Sequence, residues 1–140
     1  QIKGAPYIRK AGIKPISMGY VICSPGGRAG QVGKAKLLLP NEIEKSAAYA
    51  LTAQMYGFDM LYLEAGSGAD KPVNPDLIRS ARDVTQITLI VGGGIRDGAT
   101  EKIAAMAGAD WIITGNLVEE FDDASELESV LSEFIKEMTN

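Results

Sequence analysis

Each apolar, strand-like run of this sequence ends on glycine, and that pairing restricts the fold more than any other feature. Residues 15–23 close on Ser24, Pro25 and Gly26, and residues 59–65 close on Gly66 and Gly68. Residues 88–91 run into Gly92, Gly93 and Gly94, and residues 110–114 into Gly115. Such runs read as buried strands, and such glycines as turns. Helical spacing fills the intervals. Asn41 with Glu44 predicts a capping-box start for a helix that turns Ile43, Ala47, Ala50, Leu51 and Met55 inward and stops at Gly57. Asn74 or Pro75 opens a second helix with Leu77, Ile78 and Ala81 inward. Asp97 or Gly98 opens a third, with Ile103, Ala104 and Ala107 inward and Gly108 near its stop. Ser125 caps a fourth that carries Leu127, Val130, Leu131, Phe134, Ile135 and Met138. Residues 27–40 read as a long loop.

The resulting order is βαβαβαβα. Parallel strands need crossovers and are buried on both faces, so near-continuous apolar strands alternating with helices imply a parallel α/β sheet. Four units fit either a small open sheet or half of an eight-unit barrel, which typically needs about 250 residues. No linker or low-complexity tract divides residues 1–140.

Composition narrows the chemistry. With 46% hydrophobic and 23% charged residues the chain has the balance of one globular domain. A single cysteine, Cys23, precludes an internal disulfide, and the absence of histidine removes the usual neutral-pH base. Catalysis must then rest on carboxylates, hydroxyls, backbone dipoles or a metal held by oxygen. No stretch reaches the roughly 18–20 apolar residues of a membrane span, and the start lacks a signal-peptide pattern, so a cytoplasmic protein that does not span the membrane is expected. The net charge of −4 hides a split. The first 41 residues hold seven Lys and Arg and no acid, whereas residues 119–140 hold eight acids against Lys136. A net-acidic chain argues against nucleic acid as a partner, although the basic opening suits a small anion.

Consecutive glycines let a backbone approach an anion and aim N–H groups at it, aided by the following helix start. Gly92, Gly93, Gly94, Ile95 and Arg96, with Thr114, Gly115 and Asn116 one unit later, sit where barrels hold phosphate. The same glycines would also serve tight strand-to-helix turns. Gly66, Ser67 and Gly68 do not continue into a G-x-G-x-x-G fingerprint, which fails at Lys71, and no G-x-x-x-x-G-K-[ST] exists. Glu64 is the unusual residue: an acid at the end of an apolar strand, two positions from Tyr62 and so on the same side. It must be paired, solvated by a site or tuned toward a base, the plain alternative being satisfaction by a neighbouring Tyr hydroxyl or backbone group. Asp59 and Asp110, at strand starts, read as stability residues on the opposite rim.

These residues carry a resemblance. The run Tyr62, Leu63, Glu64, Ala65, Gly66, Ser67, Gly68, Ala69, followed by Leu89 through Arg96 and by Ala107 through Asn116, resembles the geranylgeranylglyceryl phosphate synthase family. The earlier Met18, Gly19, Tyr20, Val21, Ile22 with Pro25, Gly26, Ala29 and Gly30 resembles its fifth strand and loop. The likeness runs from about Lys14 to the last helix. It implies a (β/α)8 TIM barrel of which this chain supplies strands 5–8, the C-terminal half of one prenyltransferase domain, completed by a missing N-terminal half. It also implies a magnesium-dependent reaction in which the 3-hydroxyl of sn-glycerol 1-phosphate attacks carbon 1 of geranylgeranyl diphosphate, the first ether-bond step of archaeal membrane lipids.

By matching positions, Tyr62, Leu63, Glu64, Ala65, Gly66, Ser67, Gly68, Gly93, Gly94, Gly115 and Asn116 would hold the glycerol phosphate, with Glu64 and Tyr62 at the reacting hydroxyl. Magnesium ligands are expected on the early strands, none of them in this chain. Arg28, Lys34 and Lys36 stand as possible diphosphate contacts against an ordinary solvated-surface role. A homo-oligomer, in which Trp111 and apolar surface take part, follows by analogy with the family. Three alternatives stay open: a heptaprenyl-using relative, another phosphate-binding barrel enzyme, or a non-catalytic, doubly wound phosphate-binding module.

Overall fold

The computed structural model describes residues 2–119 and 121–139, leaving aside the side chains of Asn116, Glu119, Met138 and Thr139. A short helix α1 (Ala5–Lys10), with Pro6 in its first turn, precedes the expected alternation. Then follow β1 (Met18–Ile22), α2 (Gly27–Gly33), α3 (Ile43–Met55), β2 (Met60–Glu64) and α4 (Pro75–Val84). The chain continues with β3 (Thr88–Gly92), α5 (Gly98–Met106), β4 (Trp111–Ile113), α6 (Asn116–Glu119) and α7 (Ala124–Thr139).

The strands form one four-stranded parallel sheet in the order β1-β2-β3-β4. Sequential order decides between the two architectures. Crossovers of one hand between successive neighbours place all the helices on one face, whereas a doubly wound sheet reverses its order partway and covers both. Burial follows. Leu61, Leu63, Leu89 and Val91 project to the helix side and are buried, with Leu77, Ile78 and Ala81 of α4 and Ala50 and Ala53 of α3 packed over them. The alternate residues Met18, Tyr20, Trp111 and Ile113 lie on the other face and are exposed there, Trp111 at 56%. This is the layering of half a (β/α)8 barrel, and the doubly wound module is not the architecture observed.

Register explains which residues share that inner face. Tyr20 stands beside Tyr62, Tyr62 beside Ile90 and Ile90 beside Trp111; one row on, Ile22, Glu64, Gly92 and Ile113 align across the sheet. Trp111 therefore faces the inner side of the sheet rather than its helix-covered side.

Several local expectations change. Residues 27–33 are helix rather than loop, because Gly26 turns the chain at φ +83° and Gly30 seats against Leu37; three glycines in seven residues disguise that helix. In α3 the buried stripe is Ser46, Ala50 and Ala53, while Leu51 and Met55 face outward. The Asn41–Glu44 capping box does not form. Instead Glu42 precedes the helix, its carboxylate accepting from Leu39 N at 2.8 Å and from Lys45 Nζ at 2.9 Å. Ile103 is exposed, since α5 turns Ala104 inward. Asp123, not Ser125, caps α7, accepting from the N–H groups of Ser125 and Glu126. Ile135 is exposed while Phe134 packs on the core, and the expectation for the Met138 side chain falls outside the described residues.

Asn74 and Asp97 do cap their helices, accepting from Asp76 N and Thr100 N. At the amino-terminal rim Asp59 accepts from the backbone and hydroxyl of Ser17, which hold its carboxyl below the usual range. Asp110 receives Leu89 N at 2.7 Å and pairs with Arg82 at 2.9 Å. Both acids bind secondary structure together, as their strand-start positions imply. No helix among the described residues is long and apolar enough to cross a membrane.

Candidate functional site

β2 delivers an acid to the carboxyl rim. Glu64 is its last residue and is only 8% exposed, so its carboxylate needs partners. It has them: Oε1 accepts from Gly66 N at 2.6 Å and Oε2 from the Tyr20 hydroxyl at 3.2 Å. The Tyr62 hydroxyl also interacts with the same carboxylate. Two tyrosines on adjacent strands meet there edge to face, ring centres 5.0 Å apart.

The charge marks its surroundings. Tyr20 is pushed up to about 12, by burial first and then by the charge and hydrogen bond of Glu64. Tyr62 is raised further, by burial first, then by its interaction with Glu64 and by neighbouring Tyr20. Both phenols therefore remain protonated donors at neutral pH. Burial and Glu64 likewise push the thiol of Cys23 up to about 12, which keeps it from acting as a nucleophile.

The glycine loops interlock beside this acid. A Cβ on Gly66, at φ +106°, would lie 2.6 Å from Gly27 N; one on Gly93, at φ +84°, would lie 2.6 Å from both Glu64 Oε1 and Gly66 N. A Cβ on Gly92 would fall 2.2 Å from the Tyr62 hydroxyl. These glycines are thus required first by backbone packing between neighbouring loops. Hydrogen bonds complete the lacing: Gly26 N to Ala65 O at 2.8 Å, Ala65 N to Gly92 O at 2.9 Å and Thr114 Oγ1 to Ile95 O at 3.0 Å. All four strand ends converge on one rim. At Gly115 a Cβ would meet none of the described residues within 4 Å.

Between the loops lies a recess of about 80 Å³ lined by Tyr62, Glu64, Ser67, Gly68, Gly93, Gly94 and Gly115, together with Ile95, Arg96, Ile113 and Thr114. Seven of the expected site residues meet here. Leu63 and Ala65 are fully buried, Leu63 turning its side chain into the helix layer, and Gly66 directs its N–H to Glu64. The side chain of Asn116 lies outside the described residues, while its backbone opens α6. Arg28, Lys34 and Lys36 are exposed and none of them lines the recess.

Sequence reasoning missed Tyr20, which looked like one more β-former in an apolar run; only the register with Tyr62 exposes its place beside Glu64. Arg96, already named within the glycine motif, is the one cationic side chain among the described residues of the lining, its guanidinium 3.5 Å from Gly68 O. Among the described residues no three His, Cys, Asp or Glu side chains group so as to hold a metal ion. Glu64 spends its oxygens on hydrogen-bond donors. The residues present here do not fit a magnesium site.

The PcrB family model matches residues 1–138. The chain belongs to the PcrB family. Among PcrB-like relatives, the geranylgeranylglyceryl phosphate synthase of Methanococcoides burtonii is 52% identical over 134 residues, which are 94% of this chain and 54% of the relative. Wild-type GGGPS from Thermoplasma volcanium superposes with a TM-score of 0.89 at 41% identity, over 99% of this chain and 54% of the other. The Thermoplasma acidophilum (S)-3-O-geranylgeranylglyceryl phosphate synthase, solved in complex with its substrate sn-glycerol-1-phosphate, superposes with a TM-score of 0.86 at 36% identity, over 95% and 54%. This PcrB chain spans about half the length of the relatives it matches.

Proposed function

We propose that this chain is the glycerol-phosphate-binding half of a geranylgeranylglyceryl phosphate synthase. The observation that carries the reading is the convergence of Glu64, Tyr62 and the glycine-lined rim in one recess, in a chain similar to an enzyme solved with sn-glycerol-1-phosphate. Phosphate sits at the Gly93, Gly94 and Gly115 end, where glycine lets the backbone approach and Arg96 adds positive charge. The glycerol hydroxyls point toward Tyr62 and Glu64.

In the reaction, the 3-hydroxyl oxygen of glycerol phosphate forms a bond to carbon 1 of geranylgeranyl diphosphate as the bond from that carbon to diphosphate oxygen breaks. Diphosphate leaves with the bonding pair, and the hydroxyl proton passes to Glu64, which also orients the nucleophile. The apolar inner face, with Trp111 and Ile113, offers walls for a prenyl chain. Residues outside these 140 would supply the other half of the barrel and the ligands of any magnesium, whose charge would neutralise the diphosphate.

The test is calorimetric titration of the full-length protein with sn-glycerol 1-phosphate and its sn-3 enantiomer. Binding at least tenfold tighter for the first, a difference of about 1.4 kcal/mol, is the expected result. Equal affinity for both, or for any sugar phosphate, overturns the reading in favour of a generic phosphate site.

A further inference from the structure

Glu64 has two oxygens and about four lone-pair positions. One is taken by Gly66 N, at 2.6 Å on Oε1, and one by the Tyr20 hydroxyl, at 3.2 Å on Oε2. Tyr62, on the same strand, also interacts with the carboxylate, which is thus held from the loop behind it and from the neighbouring strand. Lone-pair positions remain for a substrate hydroxyl. Tyr20 is the donor from the neighbouring strand. Its ring rests edge-on against Tyr62 at an interplanar angle of 77°, and it is itself 48% exposed, so it contributes little to the core.

We propose that Tyr20 is a positioning residue for the reaction: its hydroxyl fixes the Oε2 side of Glu64 so that a free lone pair of the carboxylate faces the recess. This rests on the functional reading above. Tyr20 makes no claim on the substrate itself and does not line the recess. Without its hydroxyl the carboxylate keeps the Gly66 hinge and gains rotation about it, so the attacking hydroxyl meets a less fixed acceptor.

The test is steady-state kinetics of the full-length protein with sn-glycerol 1-phosphate and geranylgeranyl diphosphate, each variant normalised to its folded fraction by circular dichroism. Tyr20→Phe keeps the ring contact and removes only the hydroxyl. It is expected to lower kcat about tenfold, the size of one hydrogen bond to a charged group, and to leave KM for the diphosphate unchanged. In the Glu64→Gln background the same change is expected to have less than a twofold effect, because a residue acting through Glu64 has nothing further to lose. Tenfold losses that multiply would overturn the proposal, since independent roles add in free energy. Wild-type turnover in Tyr20→Phe beside a crippled Glu64→Gln would overturn it too, leaving the functional reading intact. Full turnover in Glu64→Gln would remove both.

Discussion

On the proposed function, replacing Glu64 by glutamine preserves the size of the side chain and removes the proposed base, so kcat of the full-length protein should fall by about a hundredfold or more. Measurement at saturating substrates separates this from lost binding. Gly92→Ala is a subtler probe. Its Cβ would land 2.2 Å from the Tyr62 hydroxyl, so the ring must swing away, and affinity for glycerol phosphate should drop about tenfold with the fold retained. The tyrosines give a pH signature. A phenol raised in the folded state contributes stability in full below its ordinary value of about 10, and that contribution is lost as pH rises through about 12 for Tyr20. Phenolate absorbance of wild type minus Tyr20→Phe should therefore appear near pH 12 when folded. Appearance near 10 would show that the hydroxyl is neither buried nor in contact with Glu64. Glu64 and Tyr62 were legible because an acid in an apolar run demands an explanation. Tyr20 was not, since its partner is set by strand register, which a single sequence does not print.

Elements behave according to what their turns must accommodate. Gly66→Ala would place a methyl 2.6 Å from the backbone of Gly27 at φ +106°, and the full-length protein should lose about 2 kcal/mol or more in urea denaturation. Gly115→Ala meets none of the described residues within 4 Å and should shift stability by no more than about 0.5 kcal/mol, although it narrows the rim. The pair separates glycines that hold loops together from one that leaves room for a ligand. Element order was readable because the hydrophobic period switches cleanly between strand and helix. Helix faces were less so. α3 carries more apolar residues than its sheet contact covers, so Leu51 and Met55 look inward on paper, whereas Ser46, anchored by its hydroxyl to Leu77 O at 2.8 Å, is what lies beneath. The short α2 was invisible because tertiary seating of Gly30, not helix propensity, sustains it.

At the scale of the molecule, a parallel sheet with helices on one face leaves its other face bare. Residues 1–140 alone should bind an apolar dye strongly at Tyr20, Trp111 and Ile113, and the full-length protein should not. Equal dye binding by both would mean that the rest of the full-length protein does not cover this face. The parallel α/β sheet was legible from the strand–helix alternation, whereas the half-barrel layering was implied only by the family resemblance and is decided by the sequential strand order. What covers the bare face lies beyond what four strands can specify.

Alternation along β2 gives its neighbouring positions opposite duties, Leu61 and Leu63 to the core and Tyr62 and Glu64 to the recess. The strand therefore works like a message with a reading frame. Deleting or inserting one residue before Tyr62 would send the acid among the helices and leucine into the lumen, removing chemistry and cohesion in one event. Substitutions can tune this protein one position at a time, but the length of that strand cannot drift.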